Sequence, residues 1–166
     1  MFSHIFGFME DGFRNELLVQ MYSRSFYPGQ DVVWMGQRFQ KISFLINGRI
    51  DCITEDGLTF FKLLPGAVFG DYQVIYGLRS NFFFRTHGQR EDEKRRKLNG
   101  KKVNVMVVES SLWDHLMELY PNTALALKEL AFLKREIFLH YMEKNIELSE
   151  SKSNTGVPIS LAHNSV

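Results

Sequence analysis

Turn signals cut the chain at short intervals between Ser25 and Thr86, and this punctuation constrains the fold more than any other feature. Pro28-Gly29, Asn47-Gly48, Glu55-Asp56-Gly57 and Pro65-Gly66 separate short runs rich in Phe, Val, Ile and Leu. Such runs read as strands. Asp56-Gly57, between ITE and LTFF, marks a hairpin, because glycine tolerates the positive φ that these turns need. Many short strands at this spacing predict a barrel or roll.

The last of these runs leads into FGDYQVIYGLRSNF, where Phe69-Gly70-Asp71 is followed eight residues after the Asp by Arg79. Gly70 permits a sharp turn and a close backbone approach to a ligand. The amides after it open a short helix, whose start favours an anion. The Arg79 guanidinium can clamp a phosphate with two parallel hydrogen bonds, and the Asp71 carboxylate can accept from a sugar hydroxyl. Phosphate and ribose together describe a nucleotide. The plainer alternative makes Asp71 a helix cap and Arg79 an exposed loop cation.

The order of these signals resembles the cyclic nucleotide-binding domain. Tyr27-Pro28-Gly29, Gly36, the run Phe44 to Ile50 and Leu64 to Gly70 follow that family's PG turn, second Gly, YFI..G.V strand pair and L..G..FGE approach. The resemblance covers roughly residues 5–145. Leu112 through Pro121 and the helix beyond look most like the domain at the cytoplasmic end of voltage-gated and cyclic nucleotide-gated cation channels, potassium channels among them. The FGDYQ wording is most similar to ciliate channels of that class.

The resemblance implies an α+β fold: a β-roll flanked by N-terminal helices and a long C-terminal helix. Its parts would be a helical segment 1–24, the roll 25–109, C-terminal helices 110–146 and a disordered tail 147–166. It further implies a site for cAMP or cGMP. Phe69, Gly70 and Asp71 would supply backbone amides and a ribose acceptor. Arg79 would pair with the cyclic phosphate, helped by Ser80 and Asn81, and the base would lie near Lys134, Arg135 and Phe138. Binding would draw the long helix onto the pocket and bias a channel gate. The other partners would be subunits of a channel tetramer, with membrane contact only through the parent protein. Three features depart from the family. Asp71 replaces the usual Glu, Asn81 and Phe82 stand where a small residue is usual, and the Asp71–Arg79 stretch is one residue short. The alternative is therefore a ligand-free homologous domain that acts in channel assembly and gating.

Composition agrees with one well-packed domain. The 166 residues are 45% hydrophobic and include 15 Phe, which is ample core material. A net charge of +1 supplies no global attraction to nucleic acid. The lone Cys52 excludes an internal disulfide and suits a reducing compartment. No apolar run approaches the ~20 residues that span a bilayer, and the first residues lack the features of a signal peptide. The resemblance implies that the setting is a cytoplasmic domain of a membrane protein.

Either side of the strands the period becomes helical. Phe13, Leu17, Leu18 and Met21 recur at helical spacing within 2–23. Ser110-Ser111 can cap a helix carrying Leu112, Leu116 and Leu119, which Pro121 interrupts, and Asn122 or Thr123 can cap the next. That long helix carries two apolar stripes, one through Leu130, Leu133, Ile137 and Tyr141, the other through Phe132, Leu139, Met142 and Ile146. Two stripes predict burial on two sides. The charged segment 86–102 reads as a solvated loop whose Lys94-Arg95-Arg96-Lys97 run could also meet an anionic surface. Phe82-Phe83-Phe84 cannot share one strand face, so either both faces are covered or one Phe meets a ligand or partner.

Other chemistry finds little support. His115 with Glu118 and His140 with Glu143 have a metal-ligand spacing but no further ligands. A GxxxxGK loop and a nucleophile elbow are absent, and no acid, base and nucleophile converge, so no enzyme is expected. A transcription regulator would need a helix-turn-helix after the long helix, and a kinase regulatory subunit a tandem copy; neither is present.

Overall fold

The computed structural model describes residues 6–88 and 102–153, with side chains as far as Lys144. It is α+β. Helix α1 spans Asp11–Gln20 and leads into strands β1 (Tyr22–Phe26), β2 (Asp31–Val33), β3 (Lys41–Asn47), β4 (Ile50–Ile53), β5 (Thr59–Leu63) and β6 (Val68–Phe69). A short helix α2 (Asp71–Ile75) precedes β7 (Phe83–Thr86) and β8 (Val103–Glu109), and α3 (Ser110–Leu119) and α4 (Pro121–Ser153) follow. The strands form two four-stranded antiparallel sheets, ordered β1-β8-β3-β6 and β2-β7-β4-β5. The chain passes from one sheet to the other at most of its turns. The anticipated turns at Gly29, Gly36, Gly48, Gly57 and Gly66 all carry positive φ.

Strand β3 lies inside the first sheet and is covered on both faces, so Ile42, Ser43, Phe44 and Leu45 are all buried. A strand covered on both sides loses its polar alternation. On one face Ile42 and Phe44 join Val108 of β8, Phe13 and Leu17 of α1, Trp113 and Leu116 of α3 and Leu127 of α4. Phe13 meets the Trp113 ring edge-on at 5.6 Å and the Tyr120 ring at 5.9 Å, the offset geometry that aromatic quadrupoles favour. At ~1.5–3 kcal/mol for each large apolar side chain fully buried, this cluster is a main source of stability.

A second cluster is almost wholly phenylalanine. Phe84 stacks on Phe69 at 5.4 Å and meets Phe39 edge-on at 5.6 Å, while Phe82 stacks on Phe60 at 5.2 Å and meets Phe61 at 5.6 Å. Because Phe69 belongs to one sheet and Phe60, Phe61 and Phe84 to the other, these rings join the two sheets. Both faces of the Phe82–Phe84 run are covered, since Phe83 turns the other way and meets Trp34 edge-on at 6.1 Å.

Several expectations change at their edges. Strand β1 begins at Tyr22, inside the segment expected to be helical, and Leu18 is 51% exposed although its spacing assigns it to the apolar face of α1. Residue Glu109, not Ser110 or Ser111, caps α3, with no side-chain hydrogen bond. The long helix starts at Pro121 itself, where a fixed φ and a missing N–H suit the first helical position. It continues to Ser153, beyond the expected end at 146. Phe132, Leu133, Ile137, Leu139 and Tyr141 are exposed and Leu130 and Met142 half-buried, so neither apolar stripe is fully buried among the described residues. The Lys94–Lys97 run, Ile146 as a side chain and the tail beyond 153 lie outside the described residues. The chain divides into compact units 1–131 and 132–166, each described here by itself.

Candidate functional site

Gly70 forms the left-handed N-cap of α2, with φ 87° and ψ −11°. A Cβ there would stand 2.4 Å from the Lys41 carbonyl oxygen and 3.2 Å from the Phe39 ring. The turn is thus pressed against the start of β3, where only glycine fits. Phe69 before it is buried in the phenylalanine cluster, and Asp71 after it opens the helix, half-buried. The helix lasts five residues, and Tyr76 and Gly77 close it by donating to the carbonyls of Tyr72 and Val74.

The chain then returns along the segment before β3. Arg79 and Arg38 face each other in an isolated antiparallel bridge. The Ser80 N–H donates to the Gln37 carbonyl at 2.9 Å, and the Gly36 N–H donates to the Ser80 carbonyl at 2.7 Å. The exposed Arg79 side chain folds back, its Nη1 donating to the Gly36 carbonyl at 2.9 Å. Ser80 is buried, and its hydroxyl donates to the Phe82 carbonyl at 2.6 Å while accepting from the Phe82 N–H at 3.3 Å. Asn81 is exposed. The structure therefore places Phe69, Gly70 and Asp71 on one turn and Arg79, Ser80 and Asn81 on the next. Lys134, Arg135 and Phe138 belong to α4 within the second unit.

Two features of this region are not visible as sequence motifs. Gly36 to Arg38, between β2 and β3, is the segment on which Arg79 and Ser80 rest, a contact across 43 residues for the Arg79–Gly36 bond. Gln73 of α2 is only 8% exposed, and its Oε1 has no hydrogen-bond partner among the described residues. A buried acceptor left unpaired costs ~1–3 kcal/mol. The helical alternation around Gln73 gave no sign of this, because a polar residue in a short helix is usually solvated.

Nothing in the arrangement resembles a reactive centre. Burial, and after it the negative charge of Asp51, pushes the Cys52 thiol far above its ordinary range, so it stays protonated and inert. No group of three or more His, Cys, Asp or Glu side chains that could hold a metal occurs among the described residues. None of the described helices is long and apolar enough to cross a membrane. Compared with known proteins, the chain matches no family model and no curated sequence.

Proposed function

We propose that this chain is a regulatory domain of the cyclic nucleotide-binding type from a cation channel, and that it works with its phosphate cassette closed on itself. In this reading the two sheets form the family's β-roll, and α4 is the helix whose displacement biases the gate. The order of the turns, the Gly70-Asp71 helix start and the Arg79-Ser80 pair support the family assignment. One observation carries the ligand-free form: the groups that would hold a cyclic phosphate are already engaged. Arg79 donates to the Gly36 carbonyl, and the Ser80 hydroxyl is used by Phe82. The phenylalanine cluster fills the space between the sheets beside them. A nucleotide that used Arg79 Nη1 or the Ser80 hydroxyl would have to break these bonds before making its own, and each replaced hydrogen bond returns only ~0.5–1.5 kcal/mol net.

The ligand-binding form is favoured by a different observation, the unpaired Gln73 Oε1. A ribose hydroxyl or a base amino group could satisfy it. Titration of the protein with cAMP and cGMP, by calorimetry and thermal shift, separates the two. The closed form predicts no saturable heat and no rise in Tm at millimolar nucleotide. Saturable micromolar binding that Arg79→Glu abolishes would overturn it and establish the nucleotide-binding form.

A further inference from the structure

The face of β1, β3 and β8 opposite the helices bounds a cavity of about 80 Å³ that none of the preceding argument uses. Alternation explains its position: Ile42, Phe44 and Val108 point to the helical core, so Lys41, Ser43 and Val107 point the other way. Its polar lining comes from three parts of the chain, Arg24 on β1, Gln37, Arg38 and Gln40 before β3, and Lys41 and Ser43 on β3. Phe26 and Val107 contribute apolar wall. A polar cavity holds a water once it offers ~10–15 Å³, so this one has room for several waters or for one small ion.

The charges are unbalanced. Lys41 Nζ is 2.9 Å from Glu109 Oε1, the Arg24 guanidinium lies over the Phe26 ring at 5.0 Å and also attracts Glu109, and Arg38 makes no ion pair with a carboxylate among the described residues. Three cations thus meet one carboxylate at the cavity. Ser43 is 6% exposed, and no partner for its hydroxyl occurs among the described residues. Arginine forks and a hydroxyl lining one polar hollow offer the kind of donors that tetrahedral oxyanions require.

We infer that this cavity binds a small phosphate-class anion, held by Arg24 and Arg38 at its mouth, with Ser43 behind. The site adjoins the Gly70–Arg79 cassette, since Arg38 Nη2 lies 3.3 Å from where a Cβ on Gly77 would stand. Arg79 takes no part in its lining, however, and the site does not depend on the proposed nucleotide chemistry. Arg38 bridges to Arg79 through the backbone, so an anion at Arg38 would stiffen the segment on which the cassette rests.

The test is a titration of the whole chain with sodium phosphate at constant ionic strength, followed by amide NMR shifts and thermal shift, with sodium chloride as the control. Saturable binding is expected, with shifts at Arg24, Arg38 and Ser43. Arg38→Gln should weaken it at least tenfold, and Arg24→Gln, on an exposed edge strand, should do the same should Arg38→Gln fail to fold. Arg79 lies outside the lining, so Arg79→Gln should weaken it much less than either of these. No saturation, an equal response to chloride, or wild-type affinity in a folded arginine variant would each overturn the inference, and loss in Arg79→Gln would move the anion to the cassette. Glycerol 3-phosphate binding more tightly than inorganic phosphate would assign the anion to a phosphorylated metabolite; the reverse order would assign free phosphate.

Discussion

Glu10 and Thr123 cap each other's helices across 113 residues of chain. The Glu10 N–H donates to Thr123 Oγ1 at 2.9 Å, and the Thr123 N–H and hydroxyl donate to Glu10 Oε2 at 3.2 and 3.0 Å. Glu10 is the N-cap of α1 and makes no cap within its own helix, while Thr123 lies in the first turn of α4. The pairing satisfies amides that a helix start leaves open, and it sets a carboxylate at the positive end of α4. Loss of a side-chain cap costs about 1 kcal/mol, so Thr123→Ala and Glu10→Ala should each destabilise by about 1–2 kcal/mol in urea. The double variant should lose much less than the sum, because both remove one shared network. Additive losses would show that the two residues do not act together.

Gly70 and Gly57 have almost the same φ, +87° and +85°, but different surroundings. A Cβ at Gly57 meets nothing within 4 Å, whereas at Gly70 it meets the Lys41 carbonyl at 2.4 Å. Gly57→Ala therefore incurs only the left-handed backbone strain, ~1–2 kcal/mol. Gly70→Ala adds a clash with backbone that cannot rotate away. Its unfolding midpoint should fall well below that of Gly57→Ala, and equal midpoints would mean that the cassette turn is not held as described.

Asp31 and Arg85 pair across β2 and β7, with Arg85 Nε 2.6 Å from Oδ1 and Nη2 3.2 Å from Oδ2. The Asp31 side chain is 2% exposed and that of Arg85 35%, so the two substitutions are unequal. Arg85→Gln strands a buried carboxylate, a change worth ~3–5 kcal/mol. Asp31→Asn leaves a guanidinium that water can reach. Chemical denaturation should show Arg85→Gln as the more damaging by at least ~1 kcal/mol.

Local signals in the sequence reported local structure faithfully. The Asp56-Gly57 hairpin, the glycine turns and the change to helical spacing after Glu109 all stand where residue chemistry put them. Boundaries were less legible, since Pro121 reads equally as the end of one helix and the first residue of the next. Contacts far apart in sequence were not legible at all. Arg79 was visible as a cation near a turn, but its bond to Gly36 depends on how two distant strands pair. The Phe82–Phe84 run declared that both faces needed cover, yet only the sheet register shows Phe69 and Phe39 supplying it.

Tyr22, Lys41 and Glu109 form a surface triad whose pH response has a fixed sign. The Tyr22 hydroxyl donates to Glu109 Oε1 at 2.5 Å, and Lys41 Nζ donates to Tyr22 at 2.8 Å and lies 2.9 Å from Glu109. The Tyr22 hydrogen bond, and after it Lys41, lowers the Glu109 carboxyl below its ordinary 4.5. The same Tyr22 bond, and after it Glu109, raises the Lys41 ammonium above its ordinary 10.5. A lowered acid contributes stability that is present above the unfolded value and disappears as pH falls through the folded one. A raised base contributes stability that is present below 10.5 and disappears as pH rises beyond it. The triad's contribution should therefore be level between about pH 5 and 10 and decline on both sides. These side chains are 37% and 46% exposed for Lys41 and Glu109, so water screens the pair and the total stays below ~1 kcal/mol. Tyr22→Phe removes the hydroxyl that does most to lower Glu109 and raise Lys41. Its stability relative to wild type should be lowest between pH 5 and 10 and should converge with wild type toward acid, as measured by urea unfolding across pH. A difference that grew as pH fell below 4.5 would reverse the sign and remove Tyr22 as the organiser of the pair.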